Sequence, residues 1–328
     1  MEQLQEVNPM GIPRVIFMGS GKIGLPTLHW LATTDVVDLV GVVTQPDKPV
    51  GRTQIVAPPP PKVLAKDRGI SVLQPEKIRR PEALESIQQL APDVIIVMAY
   101  GQILPKALLD LSTIACLNLH ASLLPKHRGA SPIQASILAG DATAGITVMY
   151  MAEGLDTGDI LSAHVLPVRR RETGESLHDR LALLGPEALA EALALLLVGK
   201  APRIAQEGSL ANYTPKLDRE SGRLDWSASC YDLDRRIRAM YSWPGAYTLV
   251  NVQGGSTPKK LKIHRAFPLH RFSGAPGEVL QINSRGIVIA CGAGGLLLLT
   301  VQLEGKRRMS AVEFLRGFSL DPGLVLGG

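Results

Sequence analysis

Six short apolar runs, separated by stretches of helical period, constrain this chain more than any other feature of its sequence. They are Arg14–Met18, Val36–Thr44, Ser71–Leu73, Val94–Ala99, Cys116–His120 and Gly145–Met151. Near-continuous valine and isoleucine, as in Val94–Ala99, suits strands covered on both faces. Between and after them, helical patterns are expected at Leu25–Thr33, Ala57–Lys66, Pro81–Leu90, Lys106–Asp110, Ser131–Ala139 and Ser176–Val198, the last as one helix or two. That alternation predicts a doubly wound, mostly parallel α/β sheet of the Rossmann-like kind. Gln45–Pro61, ending in four prolines, reads as a stiff exposed loop. Residues 201–215 lack periodicity and read as a linker. Beyond them come a helix at Tyr231–Met240 and five short strands, Tyr247–Val252, Lys260–Phe267, Gly277–Ile282, Gly286–Ala290 and Gly295–Val301, then a helix at Ser310–Leu315. These strands and their Gly/Pro turns predict a small β-barrel of the oligonucleotide-binding (OB-like) kind. The expected division is therefore a large domain at 1–200, a linker at 201–215 and a barrel at 216–328.

With 328 residues there is material for two cores. The longest apolar runs fall well short of a membrane span, and the N-terminus has no basic, secretory-type start, so a cytoplasmic protein without a membrane partner is expected. Cys116, Cys230 and Cys291 are odd in number and not in zinc spacing, as befits reduced thiols. The net charge of +5 is uneven. From Lys216 onward there are 16 Lys/Arg against 9 Asp/Glu, and before it 19 against 21. A basic C-terminal third is compatible with a polyanionic partner, and equally with a merely soluble small domain.

The chemistry is concentrated at Asn118-Leu119-His120. Residues two apart on a strand share a face, so the carboxamide and the imidazole point the same way. An amide that can hold an oxyanion beside an imidazole that can move a proton is a plausible acyl-transfer pair. Leu155-Asp156-Thr157-Gly158-Asp159 then offers a loop carboxylate able to orient that histidine. Asp159 itself reads as a turn residue, Arg128 as structural or ligand-tail binding, and Trp243 as a core residue. Gly19-Ser20-Gly21-Lys22-Ile23-Gly24 matches a dinucleotide fingerprint between strand and helix. The following strand, however, ends Val43-Thr44-Gln45 with no acidic residue for a ribose, so the glycines read as packing for a tight turn. A nicotinamide enzyme stays as the alternative from another class.

Several blocks together resemble the methionyl-tRNA formyltransferase family, within the formyl-folate transferases. They are Gly41–Arg52, Met98–Pro105, Asn118–Pro125, His127–Gln134 and Gly154–Asp159, followed by Leu224-Asp225-Trp226, Trp243-Pro244, Pro276–Val279 and Gly305–Ser310. Two departures stand out: Gly21 where the family usually has proline, and Thr53–Val56 where it tends to carry more basic residues. The resemblance implies formyl transfer from 10-formyltetrahydrofolate to the amino group of methionyl-initiator-tRNA in translation initiation. The nearest alternative is another formyl-folate enzyme, acting on an amino sugar or hydrolysing the donor. It implies Asn118, His120 and Asp156 as the catalytic set, with no metal, in a protein expected to be monomeric. It also implies a folate pocket at Ser122, Leu123, Leu124 and Pro125 and at the main chain around Met98, Ala99, Tyr100 and Leu104. Contacts to tRNA are implied for Arg52, Lys259, Lys260, Lys262, Lys306, Arg307 and Arg308.

Overall fold

The computed structural model describes residues 11–51, 54–251 and 257–327, and the chain divides into two compact units. The first comprises residues up to Gly129, Thr143–Leu166 and His178–Thr214; the second, Ala130–Ala142, Pro167–Leu177 and the chain from Pro215.

In the first unit the strands are β1 (Arg14–Gly19), β2 (Asp38–Val43), β3 (Lys48–Val50), β4 (Ile55–Ala57), β5 (Val72–Leu73), β6 (Val94–Met98), β7 (Ala115–His120), β8 (Arg128–Gly129), β9 (Thr143–Tyr150), β10 (Ile160–Pro167) and β11 (Tyr213–Thr214). Helices α1 (Leu25–Leu31), α2 (Pro60–Lys66), α3 (Pro81–Gln88) and α4 (Lys106–Leu109) separate them. The main sheet runs β10, β9, β7, β6, β1, β2, β5. β1 pairs in parallel with both β2 and β6, and β6 with β7. Chain order therefore reverses between β1 and β6, a switch point that leaves a crevice beyond the strands' carboxyl ends. Parallel pairing stops at β7, which meets β9 antiparallel, so the sheet is mixed. Every residue of β6 is buried, as its unbroken Val-Ile-Ile-Val-Met run requires.

The glycine turn after β1 is a packing device. A Cβ on Gly19 would lie 2.8 Å from the Met98 carbonyl oxygen and 2.6 Å from the Phe17 ring. Ser20 N–H then donates to Ala99 O at 3.2 Å, tying the ends of β1 and β6 together.

Three expectations need correction here. The proline-edged loop contains the hairpin β3–β4, in which Pro49 stands opposite Val56. β10 goes beyond the expected strands, because Ser162 and His164 break its apolar run; at the edge of the sheet only its Leu161 is buried. The expected linker is an ordered part of the first unit: Ile204 bridges Ile160, and β11 pairs with β8.

In the second unit, α5 (Pro132–Ala139) precedes the long α6 (Gly174–Leu197), which passes Pro186 unbroken and belongs to the first unit from His178 onward. Next come α7 (Cys230–Ala239), β12 (Tyr247–Val250), β13 (Lys259–Leu269), β14 (Val279–Asn283), β15 (Gly286–Ala290), β16 (Gly295–Leu303), β17 (Met309–Ser310) and α8 (Ala311–Leu315). The antiparallel sheet runs β12, β13, β16, β15, β14, with β17 on β16. Two register shifts around Arg265 bend the eleven-residue β13, as an OB-like sheet requires. Leu224, Trp226, Ile237, Leu261, Val279, Ile289, Leu298 and Phe314 belong to its core. Ser229 and Ser310 cap α7 and α8 by accepting N–H from Asp232 and Glu313.

Trp243, expected in the core, is 57% exposed. Met240, Pro244, Gly245 and Ala246 are the buried residues of its turn, leaving the indole outside. Among the described residues no helix is long and apolar enough to cross a membrane.

Candidate active site

All six residues of β7 are buried, yet two of its side chains are polar. Asn118 is 9% exposed and His120 6%. Buried polar groups need partners, and a single loop carboxylate supplies them. After β9 the chain turns through Gly154–Gly158 with Asp156 in the left-handed region, φ +53°. Its Oδ2 accepts the Gly129 N–H at 2.7 Å and lies 3.7 Å from His120 Nδ1. Its Oδ1 lies 3.5 Å from Asn118 Nδ2. The three residues expected to act together are thus brought together, across 38 residues of sequence.

The imidazole is oriented from its other side as well. His120 Nε2 lies 2.9 Å from the His127 carbonyl oxygen. A carbonyl can only accept, so Nε2 carries a hydrogen and Nδ1 is the nitrogen turned toward Asp156. His127 is also left-handed, at φ +59°. Ordinary residues rarely adopt this conformation, and here two border one imidazole.

Ser122–Pro125 follows β7 directly and is fastened to β9. Thr147, fully buried and opposite His120 in register, donates its hydroxyl to Ser122 O at 2.6 Å and accepts Leu124 N–H at 3.1 Å. Ser122 Oγ in turn donates to Lys126 O at 2.6 Å. Leu123 and Pro125 are half-buried, Ser122 and Leu124 buried. In the Met98–Leu104 stretch the side chains of Met98, Tyr100 and Leu104 are buried. Ala99, at φ +52°, and the 85% exposed Ile103 are what it presents outward, along with main chain. The Tyr100 carbonyl is already engaged by Ser20 Oγ and Gln45 Nε2.

Burial pushes the Cys116 thiol and the Tyr100 phenol each up to about 12. Both therefore stay protonated near neutrality, and Cys116, although on β7, is a poor nucleophile. A separate cleft of about 460 Å³, lined by Lys106, Asp110, Cys116, Tyr150 and Arg203, lies at the opposite end of β7 from His120.

Arg128, 6% exposed, is tied by its guanidinium to Gln206 Oε1 and Tyr213 Oη, which gives it a structural place. Sequence reasoning missed Thr147 and Gln206. Thr147 becomes visible only once the β7–β9 register is known, and Gln206 sits in a stretch without any periodic signal.

The expected tRNA contacts are placed unevenly. Arg52 lies outside the described residues. Lys259 and Lys306 are exposed. Lys260 is not a bare cation: its Nζ sits 4.1 Å above the Tyr247 ring and 3.4 Å from Glu220, whose carboxyl is held low chiefly by the Tyr247 hydroxyl. Lys262 Nζ reaches Pro244 O at 3.4 Å, Arg307 pairs with Glu313, and Arg308 donates to the Tyr241 hydroxyl at 3.0 Å.

Known proteins resemble this chain in sequence and in fold. Residues 13–193 match the formyl transferase family and 216–319 the formyl transferase C-terminal domain. Solved structures share the fold. A sugar 3N-formyl transferase, WlaRD, superposes with TM-score 0.63 at 15% identity over 91% of this chain and all of its own. HypX from Aquifex aeolicus, crystallised with tetrahydrofolic acid, gives 0.58 at 20% identity, over 95% of this chain and 49% of its own. Among curated relatives, the methionyl-tRNA formyltransferase of Geobacter sulfurreducens is 45% identical over 96% of both chains. Those of Methylacidiphilum infernorum and Myxococcus xanthus are 47% and 46% identical, each over 96% of this chain and 98% of theirs. With both domains matched and identity sustained along almost its whole length, this chain belongs to the methionyl-tRNA formyltransferase family.

Proposed function

We propose that the protein transfers the formyl group of 10-formyltetrahydrofolate to the α-amino group of methionyl-initiator-tRNA, in the cytoplasm, at the start of translation. The observation that carries this reading is Asp156, whose two oxygens face Asn118 and His120 while a main-chain N–H anchors one of them.

The chemistry follows from what these groups can do. An aminoacyl ester's amine is partly neutral near pH 7, so its lone pair can attack the formyl carbon. A C–N bond forms and the carbonyl π pair moves to oxygen, giving a tetrahedral oxyanion. The second hydrogen of Asn118 Nδ2 is the donor for that oxygen, a contribution worth about 10²–10³ in rate for comparable amides. His120 Nδ1 and the Asp156 carboxylate that faces it together take the proton from the attacking nitrogen and return it to the leaving folate nitrogen as the C–N10 bond breaks. Asp156 keeps the ring aimed.

The pterin is proposed to sit between Ser122–Pro125 and the main chain around Ala99, since apolar side chains beside main-chain polar groups suit such a ring. The second unit, with Lys259, Lys306 and Arg308 on its surface, is proposed to meet tRNA phosphates. The test is to supply formyl donor with charged initiator tRNA, with a nucleotide amino sugar, or alone. Formyl methionyl-tRNA as the product supports the assignment; label on the sugar only, or donor hydrolysis only, rejects it.

A further inference from the structure

The segment from Ile204 to Thr214 behaves as part of the site. Gln206 uses the whole inventory of its amide, two donors and two acceptor positions. Its Nε2 donates to the carbonyls of Asp156 at 2.9 Å and Gly158 at 2.7 Å. Its Oε1 accepts from Arg128 Nε at 3.1 Å and Nη2 at 2.7 Å. One planar group thus links both loops that converge on His120: the acid's own turn, and the stretch carrying the His127 carbonyl and the Gly129 N–H.

Asn212 completes the second connection. Its Oδ1 accepts His127 N–H at 2.6 Å, and its main-chain oxygen accepts Arg128 N–H at 3.0 Å. Thr214 Oγ1 donates to Arg128 O at 3.0 Å. The approach is so close that a Cβ on Gly129, at φ +107°, would lie 2.4 Å from Thr214 O. The two main-chain groups that hydrogen-bond the His120–Asp156 pair, the His127 carbonyl and the Gly129 N–H, thus lie in a stretch that this segment fastens. A passive connector needs none of these bonds.

We propose that Gln206 is a positioning residue for formyl transfer, holding the Asp156 turn so that its carboxylate stays aimed at His120 and Asn118, with Asn212 doing the same for the His127 carbonyl. The inference rests on the catalytic reading of Asn118, His120 and Asp156. No other ordinary side chain of this size substitutes for glutamine here. Glutamate keeps the acceptor for Arg128 but sets its second oxygen against two carbonyls, and methionine keeps the volume but neither kind of bond.

The experiment uses the full chain in single turnover, with Gln206→Met and Gln206→Glu each made in the wild-type and the Asp156→Asn background. A displacement of about 1 Å in a reacting group costs up to about 10²-fold, so each variant is expected to lower kcat roughly 10- to 100-fold with the KM for tRNA unchanged. In the Asp156→Asn background the same change is expected to cost less than about 3-fold, because a residue that acts through the carboxylate has nothing left to aim. Gln206→Glu retains the Arg128 pair, so it keeps the test alive if the methionine variant fails to fold. Wild-type turnover in the glutamate variant, or the same loss in both backgrounds, overturns the proposal. Should Asp156→Asn alone keep full turnover, the catalytic reading itself falls, and the positioning role with it.

Discussion

Replacing Thr147 by valine separates the Ser122–Pro125 loop from the strand carrying Asn118 and His120 without changing volume. The hydroxyl is fully buried and serves two main-chain groups, donating to Ser122 O and accepting from Leu124 N–H. Valine fills the same space but leaves both groups dry and unpartnered, and each such group costs about 1–3 kcal/mol. The expected loss is about 2–6 kcal/mol, reduced somewhat because the threonine hydroxyl no longer has to be desolvated. With an m-value of about 3 kcal/mol per molar urea, even the lower bound moves the first unit's unfolding midpoint by roughly 0.7 M. Function should change selectively. The β7–β9 register and the Asn118–His120–Asp156 contacts do not involve this hydroxyl, so the KM for the folate donor should rise by a larger factor than kcat falls. Thr147→Ser, which keeps the oxygen, should recover most of both. The reasoning is refuted if the valine variant matches wild type in midpoint and folate KM, or if serine is as damaging as valine.

Other expectations are equally direct. Asn118→Ala and Asp156→Asn should each lower turnover at least about 10²-fold while tRNA affinity, measured by filter binding, stays near wild type. Reversing Lys306, Arg307 and Arg308 to glutamate should weaken tRNA binding and flatten the slope of log K against log salt; an unchanged slope removes these residues from the tRNA footprint. Cys116 and Cys291, both pushed up to about 12 by burial, and the buried Cys230, whose thiol burial also raises, should resist a thiol reagent at pH 8 until urea unfolds the chain. Rapid labelling of the native protein at any of them would contradict that burial.

What the sequence made legible follows the reach of local pattern. The strand carrying Asn118 and His120 could be read because a period of two places both side chains on one face, and the apolar runs around it could only be covered strands. Asp156 was legible through its motif, not through any property of the loop that holds it. The strap from Ile204 to Thr214 was not, because its bonds join single side chains to main chain 48 to 86 residues away and impose no period. Trp243 was misjudged for a related reason: size suggests burial, but the turn around it already had Met240 and Ala246 inside. Lys260 looked like a free charge until the fold set Tyr247 and Glu220 beside it. In each case long-range packing decided what composition left open.

The left-handed backbone at Asp156 limits how its charge can be interrogated. Any residue with an unbranched apolar Cβ pays about 1–2 kcal/mol to sit there, so alanine would relax the turn as well as delete the carboxylate. Asparagine tolerates that conformation and keeps one oxygen for the Gly129 N–H, so it removes the negative charge while leaving the turn in place, its amide NH2 then standing where Asn118 Nδ2 had an acceptor. An activity lost with asparagine reports on the carboxylate, its charge and its oxygen toward Asn118; one lost only with alanine reports on the shape of the loop.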